Sequence, residues 1–397
     1  MDVYVIVFDG TRWSKPRLLL DGSTDSYKDI DLPQISSVPA VADRDVFGTY
    51  RTNTARQERD PRTGAVRQFE AGTQHLFRFD KTGKLSDAFP VWAYDSVATK
   101  NVSWPRSETS GKLLTYDETI MSLYYKEQGS GNHMSCDYEK GASLADDYFV
   151  GPSQLATGIT TTYPPAVAKY RGYTHVFVGE RGTSLIRHFT SDPATPMALA
   201  EVEPILTPRR MPAGLVASAV YQGAIHIAYY AEDLTAKKRS LFLQKHAGSW
   251  VESPGHRGSW KYTNDTWSQP VVAGEGCSPK AMRPSISVLN GLLYCFYIKL
   301  REGEPHPDLV YSTYDGNSTS SLSYDPIGTS VQMGDHHDTD SAVRVSTVSD
   351  PETKIKSTTA LLYCIYQATS VTTDSNESGK RPPYFPTRMP SPPHLPK

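Results

Sequence analysis

An all-β, six-bladed β-propeller whose closing blade is shared between the two chain ends is the fold this sequence predicts, with seven blades as the alternative count. Three observations point there. Residues 292–297 read LLYCFY, and residues 361–366, 69 positions later, read LLYCIY. A strand, a tight turn and an apolar strand recur around the first copy (RPSISVLNG), before YTHVFV (PAVAKYRG) and before AIHIAYY (ASAVYQG). Self-similarity at a long, loose period is the mark of a repeat architecture. Third, the last unit runs out of strand after LLYCIYQA, while the chain begins with VYVIVFDG and TRWSKPRLLLDG, which match the outer half of a unit. A ring that shares one blade between its ends has no open sheet edge. Two stacked β-sandwiches would explain the alternating pattern but not the split unit.

The units follow in order. Short apolar or alternating runs bounded by Gly, Pro, Asn and Asp read as strands, and almost nothing has helical periodicity. The first unit spans 36–95, with strands near VPAVA, DVFGTY, QHLFRFD and PVWAYD. The second spans 100–159, with KLLTYD, IMSLYYK and YFVGPSQL. The third and fourth occupy 160–208 and 209–276, the fourth with an insertion near 255–261. The fifth covers 277–334 and the sixth starts at 335. Residues 1–372 thus form a single propeller. Residues 373–397, ending RPPYFPTRMPSPPHLPK, form a Pro-rich tail with no core pattern, read as extended or disordered.

Composition narrows the function. With 24 Tyr against 12 Phe, the strands carry rings suited to half-buried sites. The net charge of −2, with no basic run, argues against nucleic acid as a partner. No stretch approaches the roughly 20 apolar residues of a membrane helix. MDVYVIVFDG lacks a basic n-region and is not a signal peptide, so the chain is expected to be cytoplasmic or a mature secreted form. Cys295 and Cys364 occupy equivalent strands of different units and read as buried free thiols. Cys136 and Cys277 are left open.

Signatures of catalysis are missing: no GxSxG, HExxH, P-loop or GxGxxG, and no aspartate box. No cofactor is called for. The densest polar cluster is Asp335-His336-His337-Asp338, followed by Asp340, directly before the inner strand of the closing blade. His336, His337 and Asp338 are the acid/base candidates. Asp335 and His337 are weak metal candidates, because consecutive His on one strand rarely ligate one ion; a solvated loop is the competing reading. Before the inner strands of other units stand Trp104-Pro105-Arg106, Tyr163-Pro164-Pro165, Arg210-Met211-Pro212 and Arg283-Pro284. Proline suits a strand's first residue. The adjoining Trp104, Arg106, Tyr163, Arg210 and Arg283, with His336, would ring one face of the channel and grip a hydroxylated or anionic small ligand. Ion pairs between blades are the equally weighted alternative for these arginines.

Arg78 in HLFRFD and Arg187 in SLIRHF each stand mid-strand, one residue from an aromatic. These pairs and the six-unit count resemble the six-bladed fungal fucose-specific lectins. That resemblance implies sugar sites between blades. The Arg, Glu and Trp triplet of that family does not recur blade by blade, so its sugar-binding residues have no matching positions here. The expected function is a lectin-like carbohydrate- or small-molecule-binding propeller, with its ligand at the channel face or between blades. The alternatives are an enzyme (hydrolase, lyase or cyclase) working in the central funnel, with residues 51–71 as a lid, and a protein scaffold.

Overall fold

The computed structural model describes residues 2–24, 27–31, 33–36, 45–59, 64–80, 84–90, 93–95, 100–103, 106–108, 110–115, 121–130, 132–139, 148–156, 165–180, 182–193, 195–207, 215–233, 238–256, 258–263, 267–279, 281–300, 307–320, 339–349 and 356–368. These residues are all-β. The chain opens with β1 (Asp2–Phe8) and β2 (Arg17–Leu20). A first blade follows as β3 (Gln34–Ser36), β4 (Asp45–Arg51), β7 (Gln74–Asp80) and β8 (Leu85–Pro90), with the hairpin β5 (Arg56–Arg59) and β6 (Val66–Phe69) inserted. The second comprises β11 (Lys112–Thr115), β12 (Met121–Lys126), β13 (His133–Glu139) and β14 (Tyr148–Ala156), extended at its edge by β9 (Ala93–Asp95) and β10 (Lys100–Ser103). The third is β15 (Ala166–Tyr170), β16 (Tyr173–Gly179), β17 (Leu185–Asp192) and β18 (Thr195–Leu206). The fourth is β19 (Val216–Tyr221), β20 (Ala224–Asp233), β21 (Lys238–His246) and β24 (Val271–Glu275), carrying the separate hairpin β22 (Ser249–Glu252) and β23 (Trp260–Thr263). The fifth is β25 (Ser285–Leu289), β26 (Leu292–Lys299), β27 (Asp308–Tyr314) and β28 (Thr319–Ser320). Last come β29 (Thr339–Ser349) and β30 (Lys356–Ala368), which join β1 and β2 in one sheet.

Among the described residues, the inner strands β3, β11, β15, β19, β25 and β29 touch in that cyclic order, and β29 returns to β3. The closing blade is therefore split between the chain ends, as expected. β1 pairs antiparallel with β30 over seven residues, from Asp2↔Ala368 to Phe8↔Leu362. Val3, Val5 and Ile6 are fully enclosed there, packed with Tyr363, Cys364 and Ile365.

The recurring turn has a specific geometry. Arg171-Gly172, Gln222-Gly223 and Asn290-Gly291 all have positive φ at both positions and join strands by two residues. Such a turn matches the right-handed twist of an antiparallel pair. The residue before two of these turns is a tyrosine that reaches the next blade. The Tyr170 hydroxyl donates to the carbonyl of Gly223 at 2.6 Å, and the Tyr221 hydroxyl to that of Gly291 at 2.7 Å. One phrase in the sequence thus makes both the hairpin and the clasp to its neighbour.

Three boundaries differ from the sequence reading. The first inner strand is Gln34–Ser36, and VPAVA lies outside the described residues. PVWAYD does not close the first blade; Ala93 and Tyr94 pair parallel with Phe149 and Val150 of β14, at the edge of the second. β13 was not anticipated, because HMSCDYE alternates too weakly to stand out, although Met134 and Cys136 are buried.

All four cysteines are free and buried. Burial pushes each thiol up to about 12. Native protein at pH 8 should therefore show no labelling by a soluble disulfide reagent and four equivalents after denaturation; fast native labelling would contradict the burial. Deleting residues 1–20 removes β1 and β2 and leaves β30 as a bare apolar edge. That truncation should yield insoluble or non-cooperatively melting protein. Soluble material with a sharp thermal transition would contradict closure by a shared blade.

Candidate functional site: the mouth of the central channel

The six inner strands start at one end of the channel, and their first residues line a cavity of about 190 Å³. Its wall divides in two. Over β25, β29, β3 and β11 it presents the charged Arg283, Asp340 and Lys112 and the amide of Gln34, set among apolar Leu113, Ile286 and Val343. Over β15 and β19 it presents Pro165, Ala166, Val167, Val216 and Ala217, with Ser218 polar and no charged group.

The polar arc is built around the short strand β3. An inner strand pairs on one side only, so its channel-side N–H and C=O need other partners. Asp340 of β29 accepts from the Ile35 N–H at 2.7 Å. The Lys112 ammonium of β11 donates to the Ile35 carbonyl at 2.9 Å and to both carboxylate oxygens of Asp340, at 2.8 and 3.1 Å. One ion pair thereby spans three blades and satisfies both edge groups of Ile35. Its side chains are 21% and 8% exposed, so the pair is largely desolvated. Gln34 Nε2 donates to the Ser110 carbonyl and Ser36 Oγ to that of Leu113, tying β3 further to β11.

On the other flank of Asp340, Arg283 is 6% exposed, and its Nε donates to the Thr339 carbonyl at 3.4 Å. Ser285 Oγ donates to Ser341 Oγ at 2.7 Å, and Ser287 Oγ lies 2.8 Å from the same oxygen, making a hydroxyl chain between β25 and β29.

The residues singled out from sequence divide accordingly. Arg283 lines the cavity, but as a buried group bonded to the neighbouring strand rather than a free rim side chain. Arg106 stands elsewhere: it pairs with Glu70, and its Nε donates to the Ala71 carbonyl at 3.2 Å. Trp104, Tyr163, Arg210, Asp335, His336, His337 and Asp338 lie outside the described residues. Among the described residues no group of three or more His, Cys, Asp or Glu is arranged to hold a metal ion. Sequence reasoning missed Lys112, Gln34 and the role of Asp340. Lys112 opens an ordinary-looking strand, KLLT, and its partner lies 228 positions away.

The segment expected as a lid contains the hairpin β5–β6. Glu58 of that hairpin bonds the ring of His75 at 3.1 Å, and His75 stacks on Tyr50 with centroids 4.8 Å apart. The hairpin leaves the C-terminal end of β4, which lies beside the start of β3 and so at the channel-mouth end. The arginines expected to mark sites between blades are engaged as well. Arg187 forms a two-pronged pair with Glu201, at 2.7 and 2.6 Å, and its guanidinium lies over Phe189. No helix of the described residues is long and apolar enough to cross a membrane.

Replacing Asp340 by Ala should lower the unfolding free energy by about 3–5 kcal/mol, because it leaves the Lys112 charge without a counter-ion and the Ile35 N–H without an acceptor. Asp340→Asn, which keeps an acceptor for Ile35, should lose distinctly less. Urea melts of the two variants check this; equal, small losses would mean that the clamp carries no stability.

No protein-family model and no curated protein matches this chain. Among solved structures it is similar to a glycoside hydrolase family 43 arabinoxylan arabinofuranohydrolase from Bacillus subtilis in complex with cellotetraose. The identity is 10%, the match covers 87% of this chain and 93% of that one, and the TM-score is 0.44. An exo-1,5-α-L-arabinanase from a bovine ruminal metagenomic library matches at 8% identity, over 73% of this chain and 95% of that one, with a TM-score of 0.40. The catalytic domain of a Coprinopsis cinerea GH62 α-L-arabinofuranosidase matches at 11%, over 88% and 94%, with a TM-score of 0.37. None of the three is a fucose-binding lectin, and Arg187, on which that resemblance partly rested, is held by Glu201. The chain is a β-propeller with one charged arc at the mouth of its channel.

Proposed function

We propose that the mouth of the central channel takes one unit of a saccharide and that the protein acts on glycosides there. The divided wall carries this reading. A sugar ring has hydroxyls around its edge and C–H groups on its faces. A cavity that carries its charged groups over β25, β29 and β11, with Gln34 on β3, and is mostly apolar over β15 and β19 offers a partner to each. A volume of about 190 Å³ suits one small unit, below the roughly 300–1,000 Å³ of pockets for drug-sized ligands.

The polar arc also favours a single site over a multivalent lectin. Lys112, Arg283 and Asp340 each stand on one blade, whereas Ala166 and Val216 stand at the starts of β15 and β19. A repeated lectin site would recur from blade to blade. Cleavage of a glycosidic bond generally uses two carboxyl groups, one as acid and one as base or nucleophile. Both oxygens of Asp340 are engaged by Lys112, and one of them also by Ile35, so Asp340 positions rather than reacts. Asp335 and Asp338, with His336 and His337, precede it by no more than five residues in the chain and are the acid/base candidates in this reading. Trp104, Tyr163 and Arg210, which precede inner strands in the sequence, are the rim residues this reading calls on. Arg106, held by Glu70, is not.

The test is a panel of aryl glycosides and oligosaccharides. Turnover supports the enzyme, saturable binding without turnover leaves a binding module at the same site, and neither would overturn the proposal. Arg283→Ala should weaken the productive saccharide by roughly ten- to a hundredfold, the effect of losing a charge-assisted bond. Arg106→Ala should leave it unchanged. Equal effects of the two variants would put the site elsewhere.

A further inference from the structure

Three imidazoles lie together with no carboxylate bonded to them among the described residues. His175 (β16), His188 (β17) and His246 (β21) are between 0 and 1% exposed. His175 Nδ1 lies 3.0 Å from His188 Nε2, and the His188 ring meets that of His246 edge-on with centroids 5.5 Å apart. His246 Nε2 lies 2.6 Å from the hydroxyl of Tyr262, which belongs to the hairpin β22–β23, and stacks on Trp267 at 4.4 Å. The second ring nitrogen of each histidine (His175 Nε2, His188 Nδ1, His246 Nδ1) is buried without a hydrogen-bond partner.

The hairpin itself is weakly attached. It forms its own two-stranded sheet, with no backbone pairing to a blade strand among the described residues. Of its eight residues only Tyr262 is buried, while Val251 and Trp260 are exposed. Its root is fitted closely to the cluster: a Cβ at Gly248 would fall 2.3 Å from both the His246 ring and the Thr263 carbonyl. Docking therefore rests on Tyr262 against His246, with Trp250 edge-on to Tyr262 at 5.4 Å.

We propose that His175, His188 and His246 form an acid-sensitive latch that docks the hairpin β22–β23 at the junction of the third and fourth blades, and that mild acid releases the hairpin while the ring stays closed. The geometry sets the sign. An imidazole–imidazole bond needs one bare nitrogen, so charging both His175 and His188 places two N–H groups face to face at 3.0 Å. Among the described residues, the other titratable or charged groups near the cluster are Tyr170 beside His175, Arg171 over the Tyr170 ring, and Tyr262. None supplies a negative charge at neutral pH. Burial, followed by repulsion from His246, lowers His175 to about 3; burial lowers His246 to about 4, and burial with its two neighbours puts His188 well below the ordinary 6.5. The released state thus binds more protons than the docked state below pH 6.5. Docking is fully stable above that value and weakens as the pH falls through it.

Backbone amide exchange, corrected for the intrinsic pH dependence of exchange, tests this on the full chain at pH 7.5 and 5.5. Protection across 249–263 should drop by tenfold or more while 292–299 in the fifth blade stays protected. His188→Gln, which cannot take up a proton, should move the loss toward lower pH. Tyr262→Phe should open the hairpin already at pH 7.5 without loosening the fifth blade, and it serves if His188→Gln does not fold. Protection at 249–263 that is constant between the two pH values would overturn the latch. So would protection lost only together with 292–299, or a hairpin that stays closed at pH 7.5 in Tyr262→Phe.

Discussion

Everything in this molecule depends on closing the ring, and closure rests on seven residue pairs between β1 and β30. A propeller blade cannot bury both faces by itself, so each blade is stable only between two neighbours. The split blade makes the last of those neighbours out of the first residues of the chain. Its core shows the economy of this. Val3 and Val5 face the cluster shared with the first blade, through Ile35, Val46 and Phe79, while Ile6 and Phe8 face the cluster shared with the fifth, through Leu293 and Phe296. The strand that shuts the ring thus supplies both of its faces as packing surface.

Closure in turn creates the channel and its chemistry. Six inner strands brought to a common axis leave unpaired backbone groups facing one another, and these must be satisfied. At most positions neighbouring side chains are small or apolar. At β3, the shortest inner strand, the solution is an ion pair of Asp340 and Lys112 reaching from the blades on either side. A structural requirement therefore places charge at the channel mouth, and the bonded Arg283 and the serine chain extend it on one flank. The same arrangement that holds three blades together gives the cavity one charged and one uncharged side.

The architecture was legible in the sequence because it is written in local signals. Apolar strands and Gly-containing two-residue turns each sit within a few dozen residues, and the outer half missing from the last unit is readable as such at the other end of the chain. The turn phrase even carried the tyrosine clasps, although Tyr170 and Tyr221 could not be assigned to their carbonyl partners in advance. The site was legible only in part. Arg283 was found beside its proline, but Lys112 looks like the solvated start of a strand, and no local pattern links it to Asp340. The histidine cluster was invisible for the same reason: His175, His188 and His246 stand singly on three different strands, and only blade packing brings them together.

The central claim, that ligand enters at the mouth of the channel and not between blades, is tested most directly by amide-exchange footprinting with whichever saccharide of the panel binds. The account predicts added protection confined to the starts of the inner strands, at 34–36, 112–113, 165–167, 216–218, 283–286 and 340–343. Protection centred instead on the blade strands carrying Arg78 and Arg187, with those channel segments unchanged, would contradict it.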